Sequence, residues 1–212
     1  MKSPKSPFKN ESNRIKHAND YDIVQLEHYT LSEPFYTEYG YKLKDQCYVV
    51  KSIPKDKSDV TKQERVDIIG DYVAKSIFKL TNQQPIPLFN IYTNEYQSSG
   101  SKNSSISSNS RKKYTPFNEQ LRHATLLIMD AWKIKKPNKA FENIITTIHK
   151  TPEIDVDYSL AKSLNTILDN KDKYMKDIIE IISKRREKNI KDFIFPKIKE
   201  VLQELGVSKI RF

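Results

Sequence analysis

Cys47-Tyr48-Val49-Val50-Lys51-Ser52-Ile53 is the stretch on which the fold class turns. Tyr, Val and Ile suit a pleated, half-buried surface, and neither Gly nor Pro interrupts the run, so it reads as a β-strand. Just upstream, Phe35, Thr37, Tyr39 and Tyr41 alternate with other residues, and Lys44-Asp45-Gln46 is turn-like; a β-hairpin over 35–53 is the expectation. Around it, Asp20 is placed to cap a short helix through about His28. Thr61 followed by Glu64 has the form of a capping box, and Val66, Ile69, Val73, Ile77 and Leu80 recur at three- and four-residue spacing, which predicts a helix over 61–80. Pro85-Ile86-Pro87-Leu88-Phe89-Asn90-Ile91-Tyr92 reads as an extended edge strand, because proline lacks the N–H that a helix or a central strand needs.

Beyond residue 113 the pattern changes to helices only. Phe117, Leu121, Ala124, Leu127, Ile128 and Ala131 mark one ending before Pro137, and Ala140–His149 a second ending before Pro152. Asp157 caps a third carrying Leu160, Leu164, Ile167 and Leu168. The fourth spans roughly Lys171–Lys188, with Tyr174, Met175, Ile178, Ile179, Ile181 and Ile182 on a broad apolar face. Pro196 opens a fifth, with Ile198, Val201, Leu202 and Leu205 inward and Gly206 as a left-handed stop. The fold class is therefore α+β and predominantly helical: a small N-terminal α+β piece followed by a C-terminal helical bundle. Four segments are expected, namely a disordered basic tail (1–16), the α+β piece (17–96), a Ser-rich basic linker (97–113) with Ile106 as its one aliphatic side chain, and the helical domain (114–212).

The chain carries a formal net charge of +10 and a sequence pI near 9.4, distributed unevenly. Residues 1–16 hold +4, 17–97 hold −3, 98–113 hold +4 and 114–212 hold +5. Such asymmetry is how a surface that gathers a polyanion is built. Lys184, Arg185, Arg186 and Lys188 lie together at the expected end of the fourth helix, where a stripe can meet successive phosphates. Lys133, Lys135, Lys136 and Lys139 form a second cluster, and Arg111, Lys112 and Lys113 a third.

Several chemistries are disfavoured by the same residues. Four isolated glycines, Gly40, Gly70, Gly100 and Gly206, supply no phosphate-cradling loop. Cys47 is the only cysteine, so no intrachain disulfide forms, and with no helix N-terminus or histidine beside it the thiol has nothing local to activate it. His17, His28, His123 and His149 show no metal-ligand spacing. Asp155 and Asp157 form an Asp-x-Asp that reads as helix capping rather than as a divalent-metal pair. No cofactor, metal or catalytic residue is assigned, and the protein is expected not to be an enzyme. Val201–Arg211 begins like a helix-turn-helix but lacks room for a recognition helix. No apolar run approaches a membrane span, and the polar start is not that of a secreted protein.

The leading expectation is a nucleic-acid-associated accessory protein that positions a protein partner on DNA or RNA. Its contacts are assigned to Lys184, Arg185, Arg186, Lys188, Arg111, Lys112 and Lys113. The alternative is a protein–protein interaction subunit of a larger complex, docking through the Tyr-rich hairpin and edge strand, with incidental positive charge. Ser6-Pro7-Phe8-Lys9 resembles substrates of proline-directed kinases, and with the basic 111–113 run it favours the nucleus over the cytoplasm.

Overall fold

A computed structural model of the chain describes residues 6–92, 113–185 and 189–212. The described residues form a helix-rich mixed α+β structure. Its elements in chain order are α1 (Glu11–Asp20), β1 (Tyr21–Thr30), β2 (Phe35–Tyr36), β3 (Lys42–Leu43), β4 (Gln46–Pro54), β5 (Arg65–Gly70), α2 (Asp71–Leu80), α3 (Pro116–Ala131), α4 (Lys139–Lys150), α5 (Ser159–Asn170), α6 (Met175–Ser183) and α7 (Pro196–Glu204).

The 47–53 strand is present as β4, the centre of a three-stranded antiparallel sheet ordered β1-β4-β5. Successive side chains of a strand point to opposite faces, and here both faces are buried. Tyr48, Val50, Ile23 and Ile69 enter a small core with Phe8, Ala74, Ile77 and Phe78. Cys47, Val49, Tyr29, Val66 and Ile68 enter a larger one with Leu121, Leu127, Leu164, Ile178 and Leu202. The sheet is thus a middle layer, with α2 behind it and side chains of the helices after residue 115 in front. The larger core draws on residues from both sides of the 93–112 stretch.

Three local expectations are corrected. Residues 21–28 form a strand, not a helix, and Asp20 ends the helix that precedes them: Asn10 caps α1 by accepting from the Asn13 amide at 2.8 Å. Pairing with β4 along the length of β1 overrides the weak capping signal of Asp20. Residues 61–70 are likewise not helical. Thr61 donates its amide and hydroxyl to Asp59 in a turn, and Arg65–Gly70 is a strand before α2. Val66, Ile69 and Ile77 fit helical spacing, but a strand buried on both faces sends Val66 and Ile68 to one core and Ile69 to the other, and this β-branched cluster wins a place in the sheet. Finally, 47–53 does not pair with 35–41; Phe35–Tyr36 makes its own small hairpin with Lys42–Leu43, while β4 pairs with β1 and β5.

The expected tail also changes. Phe8 is 2% exposed and α1 begins at Glu11, so residues 6–16 belong to the folded structure. Ser6 is buried and its hydroxyl accepts from the Phe8 amide at 3.0 Å.

The helical half matches the reading closely. Thr115 caps α3 through the Asn118 amide at 3.1 Å, Pro196 starts α7, and Gly206 ends it at φ +66°, with the Val207 amide reaching back to the Leu202 carbonyl at 3.0 Å. The fourth predicted helix is shorter than expected: Asp172 at φ +48° turns the chain, α6 starts at Met175, and it stops at Ser183. The 85–92 segment lies along the outer edge of β1, where Phe89 bridges Tyr29 in parallel and exchanges backbone hydrogen bonds with His28 and Thr30. No helix of the described residues is long and apolar enough to cross a membrane.

Candidate functional site

Of the predicted basic cluster at the end of α6, the two described residues, Lys184 and Arg185, face different surroundings. Lys184 is exposed and pairs with Glu180. Arg185 turns into the protein. Its Nε contacts Glu33 Oε1 at 2.7 Å, and its guanidinium donates to Ser32 Oγ at 3.1 Å, to the Asp130 carbonyl at 3.0 Å and to the Ala131 carbonyl. A cation satisfied by four partners on two other segments is a structural tie. Arg186, Lys188, Arg111 and Lys112 lie outside the described residues, and Lys113 is exposed before α3. The second cluster is also largely spent on the fold: Lys133 pairs with Glu33 at 2.9 Å, Lys136 with Glu38 at 3.5 Å and Lys139 with Glu142 at 3.8 Å.

Other candidates resolve structurally. Asp157 accepts from the Ser159 amide at 2.8 Å, which holds its carboxyl below the usual range, as helix capping requires. Cys47 is fully buried in β4, and burial pushes its thiol well above the ordinary value, leaving no thiolate. No group of three or more His, Cys, Asp or Glu side chains among the described residues is placed to hold a metal.

A cleft of about 450 Å³ that no local motif announces lies between the 86–90 segment, α3 and Lys191–Phe193. At its base Glu27, 2% exposed, receives Arg122 Nε at 2.7 and 2.9 Å, with a further bond from the terminal nitrogen. A β-bulge between Gln25 and Glu27 adds one residue to β1, and both Leu26 and Glu27 line the cleft. The rings of Phe89 and Tyr114 flank the guanidinium at 5.2 and 5.3 Å. His123 stacks on Phe89 at 4.6 Å and meets Phe193 edge-on. Because the two charges satisfy each other, this arrangement fastens α3 to β1.

Burial, reinforced by Arg122 and Lys191, lowers the His123 pKa to about 4; burial and then Arg65 do the same to His17, which bonds Ser52 Oγ at 2.9 Å. A base with a depressed folded-state pKa contributes stability that is intact above about pH 6.5 and is lost as pH falls toward 4, because the unfolded chain takes up the proton first. Asp67 and Asp130, whose carboxyls burial pushes upward, act in the opposite sense below neutrality. Replacing His123 with Phe keeps the stack and removes its titration. The urea midpoint of H123F should therefore fall less between pH 6.5 and 4 than that of the wild type; equal slopes would refute the assignment.

A second recess, of about 530 Å³, lies at the start of α6 and α7. Tyr174, Met175, Ile179, Phe193, Ile194 and Phe195 are among its walls, with Lys176 and Lys199 at its rim, and no Asp or Glu side chain lines it. Ile194 is 74% exposed and borders this apolar recess. The one legible signal of this groove was the apolar run Phe193-Ile194-Phe195-Pro196 between charged segments. A third recess, about 380 Å³, lies by Tyr39, Tyr41 and the start of α2. There a Cβ on Gly70 would sit 3.0 Å from Leu43 Cδ2, a tight contact that the leucine side chain must yield to.

No family model, curated protein or solved structure matches this chain.

Proposed function

We propose that the protein is a non-enzymatic interaction subunit, with helices α3–α7 forming a bundle that presents the α6–α7 groove to a protein partner. The observation that carries this reading is the exposed Ile194 beside an apolar recess. The inward turn of Arg185 and the pairing of Lys133, Lys136 and Lys139 weigh against a dedicated phosphate face at those clusters. A second reading, association with DNA or RNA, is favoured by the α5–α6 turn. Lys209 and Arg211 neutralise Asp169 and Asp172, while Lys171, Lys173 and Lys176 are exposed and form no ion pair among the described residues.

The test is affinity capture of the tagged full chain from its own cells after nuclease treatment, with a wash at roughly 0.5 M salt, comparing wild type with Ile194→Asp. An apolar interface survives that salt, whereas phosphate contacts do not. A stoichiometric protein retained by the wild type and lost by the variant is the expected result. Equal retention, or none, overturns the groove as the docking face; material released by nuclease transfers the case to the nucleic-acid reading.

A further inference from the structure

We propose that the α6–α7 groove docks an acidic amphipathic segment of a partner protein, its apolar side chains entering the groove and its carboxylates meeting Lys176 and Lys199. This rests on the interaction-subunit reading above and names the chemistry of the partner.

The charge pattern is the first argument. Lys176 stands in the first turn of α6 and Lys199 just inside α7, positions where the helix dipole disfavours a cation. Neither forms an ion pair among the described residues, although their neighbours do: Lys197 meets Glu200 at 2.7 Å and Lys184 meets Glu180. At the start of α6, Asp177 is occupied by the Tyr174 amide at 2.7 Å; at the start of α7, the Lys197 amide finds only the neutral Gln120 side chain at 2.9 Å. Two lysines without an ion pair among the described residues, Lys176 lying over the Tyr174 ring, and a helix start without an acid therefore surround an apolar floor. That field complements a carboxylate-bearing segment and repels a basic one.

The floor supplies the second argument. Stacked bases need free ring faces, which the groove lacks. The Tyr174 ring is already engaged by Arg211 at 4.6 Å and Lys176 at 5.4 Å, Phe195 is 6% exposed and edge-on to Phe212, and Phe193 packs against Phe89 and His123. What the floor does offer is aliphatic: Ile179, Ile194 and the buried, adaptable Met175. A volume of about 530 Å³ is of the size that takes the anchor side chains of a docked amphipathic segment.

The experiment uses the full chain and a fluorescein-labelled peptide of roughly a dozen Leu, Phe, Asp and Glu residues, with the apolar ones at helical spacing. Binding is read by anisotropy and by backbone amide shifts. Controls are the same peptide with Lys for the acids, the acidic peptide with Ser for the apolar residues, and an oligothymidylate of equal length. The acidic amphipathic peptide should shift amides of 174–179 and 193–199 and bind about tenfold more tightly than either control peptide. Lys176→Glu/Lys199→Glu, whose unchanged amide spectrum away from the groove certifies its fold, should invert the preference between acidic and basic peptides. Equal binding of acidic and basic peptides defeats the proposal while leaving an apolar docking face intact. Absence of any peptide binding defeats it too, and the capture experiment with Ile194→Asp then decides the broader reading separately. Displacement of the acidic peptide by oligothymidylate assigns the groove to nucleic acid and overturns the proposal.

Discussion

Replacing Arg122 with alanine should destabilise the protein by about 3–5 kcal/mol, because it strands the Glu27 carboxylate in the core. Glu27 is 2% exposed, and among the described residues Arg122 is the group that satisfies it, through bonds of 2.7 and 2.9 Å from Nε alone. The cost comes from an unpaired buried charge and not from the intrinsic strength of the pair. One further result follows from that cause. The double variant Glu27→Leu/Arg122→Met should recover to within about 1 kcal/mol of wild type, because two apolar side chains of similar size need no desolvation. Urea unfolding of the three proteins at neutral pH measures both. An R122A loss below about 1 kcal/mol would mean that water reaches Glu27 through the cleft.

Arg185→Gln should cost about 2–3 kcal/mol, whereas Lys184→Gln next to it should cost less than about 0.5 kcal/mol. The two side chains are adjacent in sequence and opposite in circumstance. The Lys184 side chain is 72% exposed and pairs with Glu180 one turn away; the Arg185 side chain is 17% exposed and joins the end of α6 to Ser32, Glu33 and the last carbonyls of α3. Removing Arg185 leaves those acceptors without their charged donor, and Asp130, already raised by burial, loses a neighbouring cation. Arg185→Lys should recover only part of the loss, since a single ammonium cannot span the forked set of acceptors. Denaturation midpoints decide the matter. Equal, negligible losses for Arg185→Gln and Lys184→Gln would show that Arg185 is free to serve as the phosphate contact expected from sequence.

The groove and the ion pair also show how little of a site local sequence contains. Glu27 and Arg122 are 95 residues apart, and nothing near either indicates that a bulge in β1 will set one beneath the other. The lysines of 133–139 and the run at 184–188 look alike as text. Only the acids brought against them, Glu33, Glu38 and Glu142, distinguish neutralised cations from free ones.

By itself the sequence determined the mixed, helix-rich class, the strand at 47–53, and most helix positions after residue 115. Those features rest on local physics: the side-chain period, Pro196 in a first helical turn and Gly206 at positive φ. Tertiary structure decided the rest. Residues 21–28 and 65–70 carry apolar patterns compatible with helix or strand, and they became strands because β4, buried on both faces, needs hydrogen-bonding partners along both edges. The same sheet then placed two cores on its two faces and required Arg185 to face inward, since burial and pairing belong to the assembled chain and not to any one segment of it.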